Sequence, residues 1–124
     1  MICADTNCWI RFWAGDRYRE TELLAAGLQA DQVVIAPPVI SELLSSPLFP
    51  DQHEADLLRL ALLPLDTGYW HRAGKTRRLL YQHGLRPKLL DTLIAQLCID
   101  HNVPLLTMDR DFSGFSKHAG LRLA

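Results

Sequence analysis

The sequence predicts an α/β protein: a mostly parallel sheet covered by helices on both faces. Three observations lead there. Short apolar runs, rich in β-branched residues or Leu, recur at Ile2-Cys3-Ala4, Val33-Val34-Ile35-Ala36 and Pro104-Leu105-Leu106-Thr107. Between them the apolar residues recur at three and four, which is the period of a helix with one buried face. Strands that alternate with helices pair in parallel, because a helix is the usual crossover between parallel neighbours.

Met1 to Ala4 is the first strand. Thr6 or Asp5 caps a helix with Cys8, Trp9, Ile10, Phe12 and Trp13 at helical spacing, and Gly15-Asp16 ends it. A second helix runs from about Tyr18 to Gln29 with Leu23, Leu24 and Leu28 as its inner stripe, and Gly27 weakens its last turn. Val33 to Ala36 is the second strand. Pro37-Pro38 stops it, with Pro38 placed to begin a helix over Val39–Ser45 that carries Ile40, Leu43 and Leu44 inward. Pro47 and Pro50 break that helix, and Asp51 caps another over Gln52–Leu62, with Ala55, Leu58 and Leu62 on one side. Leu62 to Leu65 is a short third strand that Pro64 confines to an edge.

Asp66-Thr67 opens a basic helix from Gly68 to about His83, stopped by Gly84. Pro87 starts the longest regular pattern, Lys88 to about Asp100, with Leu90, Leu93, Ile94, Leu97 and Cys98 as a wide apolar stripe. Pro104 to Thr107 is the fourth strand. Leu121 to Leu123, after a loop bearing Gly and Ser, is a short fifth.

With 124 residues, 48% of them apolar and 22% charged, the chain reads as one domain spanning 1–124. No apolar run approaches the roughly 20 residues of a membrane span. The strand pattern begins at Ile2 without a basic leader, so a cytoplasmic protein is expected. Cys3, Cys8 and Cys98 each sit within an apolar pattern and read as buried hydrophobes. The five histidines are scattered, and no Cys/His spacing fits zinc.

The net charge of −1 argues against a nonspecific polyanion binder, but the charge is unevenly distributed. Arg72, Lys75, Arg77, Arg78, Arg86 and Lys88 lie between His71 and Leu90, with no acid among them. A phosphate backbone would use such a patch, and a solvated helix face would equally produce it.

Four carboxylates stand beside apolar surface. Asp5 and Asp109 follow strand runs at their C-terminal ends, and Glu42 and Asp91 are placed in early turns of helices on that same edge. In an open α/β sheet, ligands bind at the carboxyl ends of the strands. Singly, Asp5 or Asp109 could be a cap, Glu42 a solvated helix residue and Asp91 a partner of a helix dipole. Together they would repel one another unless cations held them. That arrangement suits Mg²⁺ or Mn²⁺ bound by carboxylates and water, with positions open to phosphate oxygens.

The order of motifs sharpens this. Asp5-Thr6-Asn7 ends the first strand. Ser41-Glu42-Leu43-Leu44 follows a strand and prolines. Asp91-Thr92-Leu93-Ile94-Ala95 opens an apolar helix, and Leu105-Leu106-Thr107-Met108-Asp109-Arg110-Asp111-Phe112 leads to Gly120-Leu121 before the last strand. In this order and spacing, through nearly the whole chain, the sequence resembles the PIN domain family of metal-dependent ribonucleases, and within it the VapC toxins of type II toxin–antitoxin pairs. The resemblance implies a three-layer α/β/α sandwich with strand order 3-2-1-4-5. It implies Asp5, Glu42, Asp91 and Asp109 as the catalytic, metal-binding acids, with Thr6, Thr107 and Asp111 accessory. Mg²⁺ or Mn²⁺ would be the cofactor and structured RNA, tRNA or rRNA, the substrate, cut by metal-activated water. Arg72, Lys75, Arg78, Arg86 and Lys88 would hold the RNA. A cognate antitoxin and a homodimer are the partners it implies. The first strand is less bulky than is usual for the family, and Ser45-Ser46-Pro47 shortens the helix after Glu42.

Two kinds of rival are weighed. A haloacid-dehalogenase-type phosphatase also begins with a strand and an aspartate, but it needs a second aspartate where Asn7 stands. A silent PIN-like module that only binds RNA or a partner would tolerate loss of one of the four acids, and all four are present. An RNA-maturation nuclease without an antitoxin would share the same site. Trp9, Trp13 and Trp70 are candidate partner contacts, although core packing explains them as well.

Overall fold

The computed structural model describes all residues, Met1–Ala124. Its centre is β1 (Ile2–Ala4), paired in parallel with β2 (Val33–Ile35) on one side and β4 (Leu105–Leu106) on the other. β3 (Ala61–Leu62) pairs in parallel with the outer side of β2, giving the order β3-β2-β1-β4. Register places Cys3 opposite both Val34 and Leu105. The expected parallel α/β sheet is present. Its fifth strand is reduced to one parallel bridge, Leu105 to Leu123, so the order 3-2-1-4-5 holds with only a trace of the last member. Gly120, in the left-handed region at φ +80°, turns the chain just before Leu121, leaving few residues to pair.

The helices are α1 (Thr6–Trp13), α2 (Arg19–Gln29), α3 (Pro37–Leu44), α4 (Asp51–Leu57), α5 (Tyr69–Gln82), α6 (Leu89–Asp100) and α7 (Ser113–Ala119). A 3-10 helix, Arg110–Phe112, joins β4 to α7. None is long and apolar enough to cross a membrane. The inner strands read as unbroken apolar runs because both faces are covered: Cys3, Ala4, Ile35, Leu105 and Leu106 are fully buried. The small first strand has a physical reason. Cys98 of α6 is buried in the same core cluster as Cys3, and the neighbouring Cys3 side chain and burial push its thiol pKa up, so α6 covers β1. Gly27 serves the same end in α2, where a Cβ would stand 2.9 Å from Val33 and 3.1 Å from Ile2.

Several expectations need correction. α4 ends at Leu57, and the chain reaches β3 at Ala61 rather than Leu62. The buried residue of α4 is Leu57, whereas Leu58 is 76% exposed. Leu23 and Leu44 also face outward, leaving Leu24 on α2 and Val39 with Leu43 on α3 as the core contacts. α3 starts at Pro37, so Glu42 is near its end rather than in an early turn. Pro50 precedes α4, and Asp51 is its first residue. Gly68, at φ +83°, turns the chain into α5 without a side-chain cap from Asp66 or Thr67. Trp9 is core; of the three tryptophans only Trp70 is exposed.

The α5–α6 contact engages Arg72. The Arg72 guanidinium donates to both carboxylate oxygens of Asp100, at 3.0 and 2.7 Å, and to the Thr67 carbonyl at 2.8 Å. Gln96 donates to the same Asp100 at 2.8 Å and accepts from the Thr76 hydroxyl at 2.5 Å. Arg72 therefore takes part in packing α5 against α6. Asp100 is held below the ordinary carboxylate range because the hydrogen bonds from Arg72 and Gln96, together with the Arg72 charge, outweigh its desolvation. A depressed pKa stabilises the fold above the unfolded-state value, and that stability is lost as pH falls through the folded-state value. Arg72→Met is thus expected to lower Tm at pH 7, with the gap to wild type narrowing below about pH 4. Thermal denaturation from pH 2.5 to 7 tests this, and a gap constant with pH would contradict it.

Candidate active site

The carboxyl end of β1 hands Asp5 to the sheet edge. The Asp5 amide still belongs to the sheet, donating to the Leu106 carbonyl at 3.0 Å, while its side chain turns to the next element. Oδ1 accepts from the Cys8 amide at 3.0 Å, so Asp5, not Thr6, is the cap of α1. Oδ2 accepts from the Thr107 hydroxyl at the end of β4. Thr107 Oγ1 in turn accepts from the Asp109 amide at 2.9 Å. Asp109 Oδ1 accepts from the Asp111 amide at 2.9 Å and starts the 3-10 helix. One chain of hydrogen bonds therefore fixes Asp5, Thr107, Asp109 and Asp111 relative to one another.

Thr6, released from capping, has a different task. Its hydroxyl donates to Glu42 Oε1 at 2.5 Å, tying α3 to the first turn of α1. Asp91 arrives in the first turn of α6. Asp5, Glu42, Asp91 and Asp109 line a single cavity of about 390 Å³, with Thr6, Asn7 and Lys88 on its rim. Carboxylate oxygens of Asp91, Asp109 and Asp111 all lie within 4.8 Å of one another. Of the accessory residues, Asp111 thus stands with the acids, whereas Thr6 and Thr107 position them.

The electrostatics are those of crowded like charges. Burial raises the pKa of Asp5; hydrogen bonds from Thr107 and Cys8 oppose this, and the Asp109 charge adds to it. Asp91 is pushed up to about 6 by burial first, then by Asp109, with Glu42 and Asp111 contributing and Lys88 pulling the other way. No Lys or Arg forms an ion pair with any of these acids. The Cys8 thiol beneath them is raised by burial and by the Asp5 charge, which keeps it protonated and unreactive.

Of the basic residues expected near RNA, Lys88 reaches the cavity rim and Arg86 lies in an adjoining trough. Lys75 and Arg78 are exposed on α5. Arg77 donates to the Pro87 carbonyl at 2.9 Å and sits over the Tyr81 ring. Two residues escaped sequence reasoning. Asn7 lines the cavity, and its place beside Asp5 was the available signal. Arg110 enters the trough wall, and its position between Asp109 and Asp111 was the signal there.

A parallel α/β sheet with acids gathered at its carboxyl edge is an open α/β domain with its ligand site in the expected place. Residues 2–118 match the PIN domain, and the chain belongs to the PIN domain family. No curated protein sequence matches it. Solved structures share the fold. A chain in the crystal structure of VapBC2 from Rickettsia felis, bound to a DNA fragment from their promoter, is similar at TM-score 0.74 and 24% identity, covering 100% of this chain and 98% of that one. FitAcB from Neisseria gonorrhoeae gives 0.73 at 18%, covering 99% and 96%. VapBC-5 from Mycobacterium tuberculosis, a member of the VapBC family of toxin–antitoxin systems, gives 0.68 at 21%, covering 98% and 95%.

The raised pKa of Asp91 has a consequence for stability. A raised value favours the protonated form in the folded state, so its stabilising effect is present below the unfolded-state pKa and is lost as pH rises through about 6. Asn cannot ionise. Asp91→Asn should therefore stabilise the metal-free protein at pH 7.5 by on the order of 1 kcal/mol, allowing for partial exposure. That corresponds to a Tm gain of roughly 3–5 °C, vanishing near pH 4. A Tm loss at pH 7.5 in the presence of a chelator would contradict the crowding of charge at this edge.

Proposed function

We propose that this single PIN domain is a metal-dependent endoribonuclease, acting in the cytoplasm as the toxin of a type II toxin–antitoxin pair. The observation that carries the reading is the meeting of Asp5, Glu42, Asp91 and Asp109 on one cavity, with Asp111 within ligand distance of two of them. An all-oxygen donor set of this kind fits a hard divalent cation, Mg²⁺ or Mn²⁺, and not a soft one. Burial raises the pKa values of Asp5 and Asp91, and no Lys or Arg pairs with either, so a bound cation would supply the balancing charge. Such an ion supplies Lewis-acid polarisation of a phosphodiester and makes a neighbouring water more acidic.

The residues of the chain do the positioning. Asp91, Asp109 and Asp111 offer the closest oxygens, and Asp5 and Glu42 close the set from β1 and α3. Thr107 holds Asp5 and receives the Asp109 amide, which fixes two acids with one hydroxyl. Thr6 does the same for Glu42. Such supporting bonds are what keep ligands oriented.

The RNA substrate follows from the family resemblance and from the basic side chains at the acidic edge, Lys88 lining the cavity and Arg86 the adjoining trough. The antitoxin reading gains support from an apolar groove of Ile10, Trp13, Leu48 and Phe49 that shares Ile10 and Glu42 with the acidic cavity. A partner segment seated there could place a basic side chain among the acids. Exposed Leu65 and Trp70, with Pro37, Pro38, Leu90 and Leu93, line an apolar surface suited to a second copy.

Asn at position 5 keeps Oδ1 for the Cys8 amide and turns its NH2 toward the Thr107 hydroxyl oxygen, which can accept, so Asp5→Asn should fold while losing the charge. Asp5→Asn and Asp109→Asn are expected to lower Mg²⁺-dependent cleavage of total RNA by at least about 100-fold, and Thr107→Ala by roughly 10–100-fold. Both Asn variants should also relieve growth arrest on expression. Wild-type cleavage by Asp5→Asn protein, purified free of host nucleases, would remove the assignment.

A further inference from the structure

Beside the acidic cavity lies a second, smaller one of about 250 Å³ with the opposite character. Arg86 and Lys88, from the segment joining α5 to α6, form one wall, and Arg110 of the 3-10 helix stands on the other. Leu80 and Leu85 contribute its apolar lining. Lys88 lines both cavities, and Asp111, which lies within ligand distance of Asp91 and Asp109, lines the basic one. The two therefore adjoin.

Packing brings the walls together. Gly114 at the start of α7 lies so close to Leu85 that a Cβ there would stand 2.7 Å from its Cδ1. Arg77 clasps the other wall by donating to the Pro87 carbonyl at 2.9 Å. Arg86, Lys88 and Arg110 are exposed and form no ion pair, in contrast to Arg72, which Asp100 holds at 2.7 Å. Three unpaired cations that two supported walls bring around a small trough make a site for a compact oxyanion.

We infer that this trough binds the backbone phosphate adjacent to the scissile one in a single RNA strand, with Arg110, Arg86 and Lys88 as its ligands. The inference rests on the nuclease reading and adds direction to it. The strand crosses the acidic cavity and continues over the segment 86–88 toward α7, not along the outer face of α5. A strand on that course meets cations immediately on leaving the acids, which compensates the repulsion that the acidic edge presents to its backbone.

The test is the salt dependence of binding of a fluorescein-labelled single-stranded oligoribonucleotide, read by anisotropy from 50 to 200 mM KCl with Ca²⁺ replacing Mg²⁺ to suppress cutting. Arg110→Gln and Arg86→Gln should each weaken binding and reduce the slope of log K against log salt by about 0.7, the loss of one phosphate contact on a single strand. Arg59→Gln serves as control, because Arg59 precedes β3 at the amino edge of the sheet, and it should keep the wild-type slope. Slopes and affinities equal to wild type in both trough variants would overturn the inference and leave the trough to another anion, such as an acidic protein segment. Hydrolysis of bis-p-nitrophenyl phosphate by the wild-type protein with Mn²⁺ checks the nuclease reading separately. If wild type cuts neither this diester nor RNA, that reading falls and takes the inference with it.

Discussion

Asp5 is a carboxylate buried at the end of the central strand with no cationic side chain paired to it, and the rest of the edge is arranged around that constraint. Desolvating a carboxylate is costly unless hydrogen bonds or charge replace the lost water. The Cys8 amide and the Thr107 hydroxyl replace part of it. The first is local to the start of α1, whereas the second depends on parallel pairing of β1 with β4, which brings Thr107 alongside Asp5. The same hydroxyl accepts the Asp109 amide, so placing the first acid places the fourth. Burial first, with the charges of neighbouring acids added to it, raises the pKa values of Asp5 and Asp91. On the reading proposed here, a divalent cation balances those charges.

The sheet explains why small residues stand where bulk is usual. β1 is central and covered on both faces, and the fully buried Cys3 and Ala4 keep it thin. A short central strand under a close helix fixes the depth of Asp5 beneath the surface. Gly27 and Gly114 do equivalent work at α2 and α7. Close packing of this kind transmits a change in one layer to the next.

Much of this was legible in the sequence. The strands around Ile2, Val33 and Leu105 were visible because both-face burial leaves them almost purely apolar, and the acids after them marked the ligand edge. The resemblance of motifs supplied the strand order. What stayed hidden depends on tertiary contacts. Asp5 and Thr6 are both capping residues, and only the approach of Glu42 decides that Thr6 turns away while Asp5 caps. Arg72 looked like part of a basic patch until Asp100, 28 residues later, came within 2.7 Å of it. Arg110 was overlooked because it lies between two acids in the chain, although its side chain points to the opposite cavity wall. Leu57 and Leu58 are neighbours of equal hydrophobicity, and the short length of α4 alone determines which is buried.

The central claim is that the acidic edge holds a divalent cation, and locating that ion tests it most directly. Crystals soaked in Mn²⁺ give an anomalous difference map that marks the metal without reference to activity. The account predicts a strong peak between the carboxylates of Asp91, Asp109 and Asp111, on the side facing Asp5, and its loss in Asp109→Asn crystals. A map without density there at saturating Mn²⁺, or with its main peak elsewhere on the molecule, would contradict it.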